Sequence, residues 1–239
     1  LFNVINGGTI KNINFENVDI NRPDKNQIAT LGFNLKNKGL IEDVKVTGSV
    51  TGNNDVAGIV NKIDEDGKIE NVAFVGKINS VGNNSTVGGI AGSNYMGFVN
   101  RAYVDATITA QNANASMLVP FVTYMLNSWK SGTKAKVTNS VAKGVLDVKN
   151  TRNVGGIVAK TWPYGAVQDN VTYAKVIKGQ EIFASNDVND EDGGPYIKDL
   201  FGVVGYSSAE DGTGKDTKSP NKLKHLTKEE ADKRVEGYN

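Results

Sequence analysis

The chain of 239 residues has no cysteine and a single histidine, His225. Without cysteine, disulfides and thiolate metal sites are excluded. A zinc-protease motif of the His-Glu-x-x-His kind needs two histidines on one helix face, so this sequence cannot contain one. We therefore expect no catalytic residue and no cofactor within this chain.

The sequence also lacks a dominant charge and a long apolar run. Its 27 Lys and Arg nearly cancel its 26 Asp and Glu, so no strong field recruits nucleic acid or an anionic membrane. No apolar stretch approaches the ~20 residues that span a bilayer. We predict neither a nucleic-acid partner nor a membrane span.

What the sequence has is a repeat of about 30 residues, a period typical of solenoid proteins. Its clearest copy joins a glycine-punctuated apolar strand at 154–159 to an aliphatic-x-Asn/Asp strand. Successive copies of the second strand start 31, 28, 30, 38 and 30 residues apart. The six starts are Ile10, Ile41, Ile69, Val99, Val137 and Val167.

Apolar residues follow each start with a period of two, which is the alternation of side chains along a strand. The β-branched enrichment favours strands over helices. We predict an all-β fold, a right-handed parallel β-helix (solenoid) of about six rungs, in which each rung lays its aliphatic side chains on the rung before. A capping box at Thr227–Glu230 predicts a short C-terminal helix over 228–236.

We expect the β-helix to cover residues 1–206, with insertions at about 111–136 and 178–199. Residues 207–239 are expected to form a flexible connector and a capping or linking helix. Residues 1–7 resemble the tail of an earlier rung, so we expect this sequence to be a fragment. The acidic stretch 186–194 fails as an EF-hand calcium loop, because Asp192 and Lys198 stand where glycine and glutamate are required.

The third position of the repeated strand carries Asn or Asp in five of six rungs, and Arg101 breaks the row. Asx side chains tolerate unusual backbone angles and satisfy turn amides, so we interpret them as a structural turn row. A ligand-binding row is the less favoured alternative. The row contains Asn12, Asp43, Asn71, Asn139 and Asp169.

Aromatic residues follow the glycine strands of rungs three to six. If the rungs stack in register, these residues line one edge of the coil, where exposed aromatics are typical interface anchors. In the alternative interpretation each ring packs over its own turn. The candidate interface contains Tyr95, Trp129, Trp162, Tyr164 and Tyr206.

A carbohydrate-active enzyme is the least favoured hypothesis. Such β-helix enzymes use carboxylates on one sheet face, and a set of acidic and basic residues could in principle assemble in that way. However, no outward strand positions repeat as paired acids in the sequence. The set is Asp105, Asp147 and Asp169 with Arg101 and Arg152.

Two kinds of motif resemble known families. The stretches 69–76 and 154–158 are similar to the GLUG repeat of bacterial surface proteins. The more distinctive C-terminal stretches 184–187, 194–202 and 226–232 resemble streptococcal immunoglobulin A proteases and related zinc metalloproteases, in the region upstream of their catalytic domain.

This resemblance implies a non-catalytic domain of a secreted, cell-wall-associated zinc endopeptidase whose zinc site lies outside these residues. Its partners would be the catalytic domain of the same chain and a host protein substrate such as immunoglobulin A1. Its role would be to scaffold the catalytic domain and to position or gate the substrate. The alternative is an adhesin-type binding module that acts independently.

Overall fold

The computed structural model describes residues 1–122, 135–161, 165–168, 170–178 and 183–186, together with Glu229 and Lys233. These residues form strands separated by short turns. The strands are β1 Phe2–Asn6, β2 Thr9–Arg22, β3 Ile28–Ala29, β4 Gly32–Lys36, β5 Leu40–Gly52, β6 Val56–Ala57, β7 Val60–Ile63, β8 Lys68–Ser80, β9 Ser85–Gly88, β10 Ala91–Asn94, β11 Phe98–Asn100, β12 Tyr103–Ser116, β13 Phe121–Val122, β14 Ala135–Thr138, β15 Val141–Gly155, β16 Val158–Thr161, β17 Gly165–Gln168, β18 Val171–Thr172, β19 Lys175–Val176 and β20 Phe183–Asn186.

Two parallel sheets run along the molecule. One stacks seven strands in the order β1-β4-β7-β10-β13-β16-β20, and the remaining strands form the second sheet, of 13 strands. The chain passes through both sheets once per repeat, so each strand pairs with its counterpart one rung later. The predicted all-β class and parallel coil are confirmed, as a β-solenoid of about five turns.

The six repeat starts lie above one another as predicted. Ile10 pairs with Ile41, and Ile41 pairs with Ile69. The pairing then continues without a shift through Val99, Val137 and Val167. The repeat read from the sequence is therefore the repeat of the stack.

Two more rows of inward side chains belong to the hydrophobic core. Their members pair along the stack, and most of them are fully buried from the second rung onward. Neighbouring strands lie ~4.8 Å apart, so each side chain packs directly on the next in its row. The rows are Phe15, Val46, Phe74, Val104, Ala142 and Thr172, and Val50, Ile78, Ile108, Leu146 and Val176.

The glycines of the apolar strands make room for these side chains. A Cβ added to Gly58 would lie 2.7 Å from Cγ and Cδ2 of the buried Phe74 ring. One rung later, a Cβ added to Gly89 would lie 2.8 Å from Cγ1 of Val104. The glycine punctuation therefore marks a close approach of backbone to core side chain.

The first rung departs from the predicted register. Counting along the repeat places Asn17 opposite Gly48, but Val18 pairs with Gly48 because a β-bulge follows Phe15. Asn17 has a φ of 53°, a left-handed conformation that an amide side chain tolerates. As a result Ile20, rather than Asp19, pairs with Val50, so the first rung supplies an apolar residue to this row.

Parts of the predicted domain division fall on described residues. Residues 111–116 continue β12 and 135–138 form β14, while Met117, Leu118 and Val119 are fully buried. Most of 178–199 and of 207–239 lies outside the described residues. Glu229 and Lys233 are both helical, with an exposed ion pair of 3.1 Å between Oε1 and Nζ. The described part of the chain contains no helix long and apolar enough to cross a membrane.

Candidate functional site

The edge of the seven-stranded sheet is where the predicted aromatic interface begins. Asn6 pairs with Lys36 at this edge, and the backbone amides of Asp64 and Tyr95 bond to the preceding rungs at Leu35 and Ile63. These bonds place Asn6, Lys36, Asp64 and Tyr95 in the same row of successive rungs. Tyr95 is half-buried.

The Tyr95 ring is held by charged side chains of the rung before. Lys62 Nζ lies 4.9 Å from the ring centroid and 2.6 Å from Asp64 Oδ2. Asn34 Nδ2 donates to the same carboxylate oxygen at 3.2 Å. We call Asn34, Lys62, Asp64 and Tyr95 the edge cluster. It links three rungs, so the ring has a fixed position while part of its surface meets solvent.

The other candidate interface residues, Trp129, Trp162, Tyr164 and Tyr206, lie outside the described residues. Whether they continue the edge from Tyr95 therefore stays a prediction. Sequence reasoning did not identify Lys62 and Asn34, because their contacts with Tyr95 and Asp64 arise only when successive rungs stack.

The Asx row lies at a corner between two segments of the 13-stranded sheet. Asn12, Asp43, Asn71 and Asn139 have φ between 49° and 57°, and Arg101 has φ 54°. Asx side chains tolerate this left-handed region better than most residues. Asp169 lies outside the described residues.

Side-chain hydrogen bonds join the corner row between rungs. Asn71 Nδ2 donates to Asp43 Oδ1 at 2.7 Å, and Asn139 Nδ2 donates to Asn100 Oδ1 at 2.8 Å. Bonds of this kind satisfy polar groups within the row. They support a structural role and leave a ligand-binding role without a supporting observation.

A polar ladder runs beside the corner row, and it contains one pair of acids that the sequence analysis missed. Glu42 and Glu70 are direct strand partners, so the expectation that no outward positions repeat as paired acids is wrong at this place. Lys11 Nζ lies 2.6 Å from Glu42 Oε2, and Asn100 Nδ2 donates to both oxygens of Glu70 at 2.8 and 3.0 Å. Each acid thus has its own partner.

Electrostatics in the ladder follow from these contacts. The hydrogen bond with Glu42, followed by the attraction of its charge, raises the pKa of the Lys11 ammonium above its ordinary value. A surface ion pair of this kind needs no ligand or substrate to account for it.

The structure does not assemble the acids considered for carbohydrate cleavage. Asp105 is the strand partner of Lys143, whereas Asp147 is the partner of Thr109. The four-residue offset along neighbouring strands separates the two acids by roughly 13 Å. Asp169 and the Arg152 side chain lie outside the described residues.

The residues present do not suit a zinc ion either. The chain offers one histidine and no cysteine. Across the described ranges, no group of three or more His, Cys, Asp or Glu side chains is arranged to hold a metal.

Fold and surface together define the class of protein: a parallel β-solenoid repeat region whose described surface carries polar side chains stacked between rungs, with the half-buried Tyr95 at the end of one strand. Comparison with known proteins then shows what the chain is similar to. Residues 1–48 match the model of the M26 IgA1-specific metallo-endopeptidase N-terminal region. By this match and by its relatives, the chain is related to the N-terminal region of these metallo-endopeptidases.

Three relatives show how much of the family the chain represents. It is 51% identical over its whole length to zinc metalloprotease ZmpB of Streptococcus pneumoniae serotype 4, and 30% identical over 80% of its length to zinc metalloprotease ZmpC of the same organism. It is 26% identical over 68% of its length to immunoglobulin A1 protease of Streptococcus sanguinis. The chain spans only 12%, 10% and 9% of these relatives. No solved structure matches it.

Proposed function

We propose that this chain is a non-catalytic solenoid domain of a secreted, cell-wall-associated zinc metalloendopeptidase. It scaffolds the catalytic domain of the same polypeptide and helps to position or gate a protein substrate. Zinc binds in that catalytic domain, outside these residues. Immunoglobulin A1 is the first substrate to test, because one relative is named as an immunoglobulin A1 protease.

The proposal rests on one observation: the relatives of this chain are zinc metalloproteases, yet the chain itself lacks the histidines of a zinc site. The chain is related to zinc metalloproteases but has a single histidine, and it spans about a tenth of these relatives. A part without the His-Glu-x-x-His motif contributes to proteolysis through binding, orientation or support.

The solenoid suits orientation because its rungs are fixed relative to one another. Three core rows and in-register pairing hold the rungs at a spacing of ~4.8 Å. Groups on its edge, such as Tyr95, therefore keep constant distances from any domain anchored elsewhere on the rod. Orienting a macromolecule before the chemical step raises the rate without contact with the scissile bond.

A deletion in the intact protease tests the proposal. Removing residues 1–206 should lower kcat/KM for the full protein substrate by at least about tenfold, a loss of about 1.4 kcal/mol. Cleavage of a short peptide that spans the scissile bond should change little, because the peptide does not reach the rod. If neither substrate is affected, the domain is an independent adhesin-type module.

A matched pair of substitutions locates the contact. Tyr95→Ser in the intact protease should lower kcat/KM for the protein substrate and leave peptide cleavage unchanged. Tyr103→Ser is the control, because Tyr103 also lies beside a lysine, with Lys143 Nζ 5.4 Å from its ring, but belongs to the other sheet. Equal effects of the two substitutions would argue against the aromatic edge as the contact surface.

A further inference from the structure

The edge cluster contains an amine and an amide that both contact one carboxylate. Asn34 and Lys62 are strand partners in neighbouring rungs, which places their backbones ~4.8 Å apart. Both side chains contact the same atom, Asp64 Oδ2, at 3.2 and 2.6 Å. The amine of one rung and the amide of the next are thus brought together by a shared acid.

The surroundings of the three groups limit access by water. Asp64 is 6% exposed, and the Lys62 side chain is 27% exposed with the Tyr95 ring beside its ammonium. Two oxygens, Asn34 Oδ1 and Asp64 Oδ1, are buried without a hydrogen-bond partner among the described residues. Unpartnered buried oxygens are costly, so a simple ion pair leaves this cluster only partly satisfied.

We propose that Lys62 and Asn34 form an intramolecular amide cross-link between the first and second rungs, with Asp64 as the proton-transfer group. An amine can attack a side-chain amide when a neighbouring carboxylate carries the protons between them. The inference concerns this chain alone and does not depend on the proposed role in proteolysis.

The atoms balance without a further reactant. The Asp64 carboxylate accepts a proton from the Lys62 ammonium, and the freed nitrogen lone pair attacks Cγ of Asn34. The bond between Cγ and Nδ2 then breaks, and Asp64 returns the proton to the departing nitrogen. A second proton passes from the attacking nitrogen to Asp64 and on to the departing ammonia, so that an ammonium ion leaves, Asp64 is again a carboxylate and an Nζ–Cγ amide remains. No atom is oxidised or reduced.

The exposed pair of Lys11 and Glu42 provides an internal comparison. Its nitrogen and oxygen are also 2.6 Å apart, but its side chains are 46% and 28% exposed. The structure shows no amide bonded to that carboxylate within the described ranges. Proximity of charges is common to both pairs, whereas a shared acid next to an amide is specific to the edge cluster.

Mass spectrometry of the purified chain tests the proposal directly. The intact mass should fall below the sequence mass by about 17 Da, the loss of one ammonia. Trypsin should release a linked species that joins residues 26–36 to 46–68, because an acylated Lys62 is not cleaved. The chain has no cysteine, so disulfides do not confuse the assignment.

Substitutions separate the cross-link from other losses of ammonia. Lys62→Arg preserves the positive charge but removes the nucleophile, and it should restore the full mass, as should Asp64→Asn. Lys11→Arg is the matched control and should leave the deficit unchanged. Circular dichroism checks that each variant retains its strand content.

Each result decides part of the proposal. A wild-type chain that keeps its full mass after prolonged incubation at neutral pH overturns the cross-link. A deficit that persists in Lys62→Arg, without the linked peptide, assigns the loss to another asparagine and also overturns it. A deficit that persists in Asp64→Asn, with the linked peptide present, overturns only the role assigned to Asp64.

Discussion

The early and late rungs fill the same core position in different ways. Immediately after the corner residue, rungs two to four carry Val44, Val72 and Ala102, whereas rungs five and six carry Ser140 and Asn170. All five side chains are buried, whereas Ile13 at the same position of the first rung is 43% exposed. This core position is thus filled by apolar side chains in the earlier rungs and by polar side chains in the last two.

The polar part of the core is satisfied by backbone contacts. Asn170 Oδ1 accepts from the Ser140 amide, and its Nδ2 donates to the Val137 carbonyl, both at 2.9 Å. Ser140 Oγ accepts from the Ala102 amide at 3.0 Å and donates to the Thr138 carbonyl at 2.8 Å. The comparison shows that the same backbone position can hold either an apolar side chain or a buried polar one, provided that the polar groups are hydrogen-bonded.

The largest loss of stability is expected from a substitution in the apolar part of the core. Phe74→Ala removes a fully buried ring and leaves a cavity beside Gly58, so we expect a loss of about 3–5 kcal/mol in the free energy of unfolding. Urea denaturation measures it. Val75→Ala, the outward neighbour on the same strand, should lose less than about 1 kcal/mol. Similar losses for both would contradict the assigned inward and outward faces.

A smaller loss of stability is expected from a substitution among the buried polar side chains of the last rungs. Asn170→Ala removes the side-chain partner of the buried Ser140 amide and of the Val137 carbonyl, which should reduce the free energy of unfolding by about 2–3 kcal/mol. Thr172→Val is the control: it keeps shape and burial and loses one hydrogen bond to the Ala174 amide, at a cost of about 1 kcal/mol. If Asn170→Ala costs no more than Thr172→Val, the late core does not depend on its network.

The corner row allows a test that separates the side-chain hydrogen bond from the backbone conformation. Asn71→Ala loses the bond to Asp43 and puts a less tolerant residue at φ 51°, which should cost about 1–2 kcal/mol. Asn71→Gly loses the same bond but suits the left-handed backbone, and it should cost about half as much. Thermal unfolding of the two variants distinguishes them, and an equal loss would show that the backbone conformation contributes little.

The smallest effect is expected outside the core, at Lys11. Its pKa is raised by Glu42, so its contribution to stability is complete below the ordinary lysine pKa of about 10.4. The contribution is lost as pH rises through the raised pKa. Titration by NMR should find the Lys11 pKa above that of exposed lysines in wild type and returned toward them in Glu42→Gln. An unchanged Lys11 pKa in that variant would exclude Glu42 as the cause.

Most of the architecture could be predicted because the repeat is encoded locally. The starts from Ile10 to Val167 recur in strands of period two, and each start pairs with the next. The bulge after Phe15 could not be predicted by counting, because one additional residue leaves the apolar pattern intact on both sides. Register depends on which strand lies opposite, and that information is not local.

The surface was less predictable for the same reason. Tyr95 was identifiable as an aromatic residue after a glycine strand. Its partner Lys62 and the pairing of Glu42 with Glu70 became visible only through contacts between rungs. Unlike the Asx row, these positions differ in chemistry from one rung to the next, so the contacts of their side chains follow from the stack rather than from a recurring residue type.

The in-register stack also separates two kinds of evolutionary change. The repeat starts are 28 to 38 residues apart, yet each one pairs with its neighbour without a shift, so differences in length are absorbed between the strands. Segments at the corners can lengthen, shorten or acquire new chemistry without repacking the interior. Related proteins can therefore differ in the residues exposed at the corners while they keep the same stacked core.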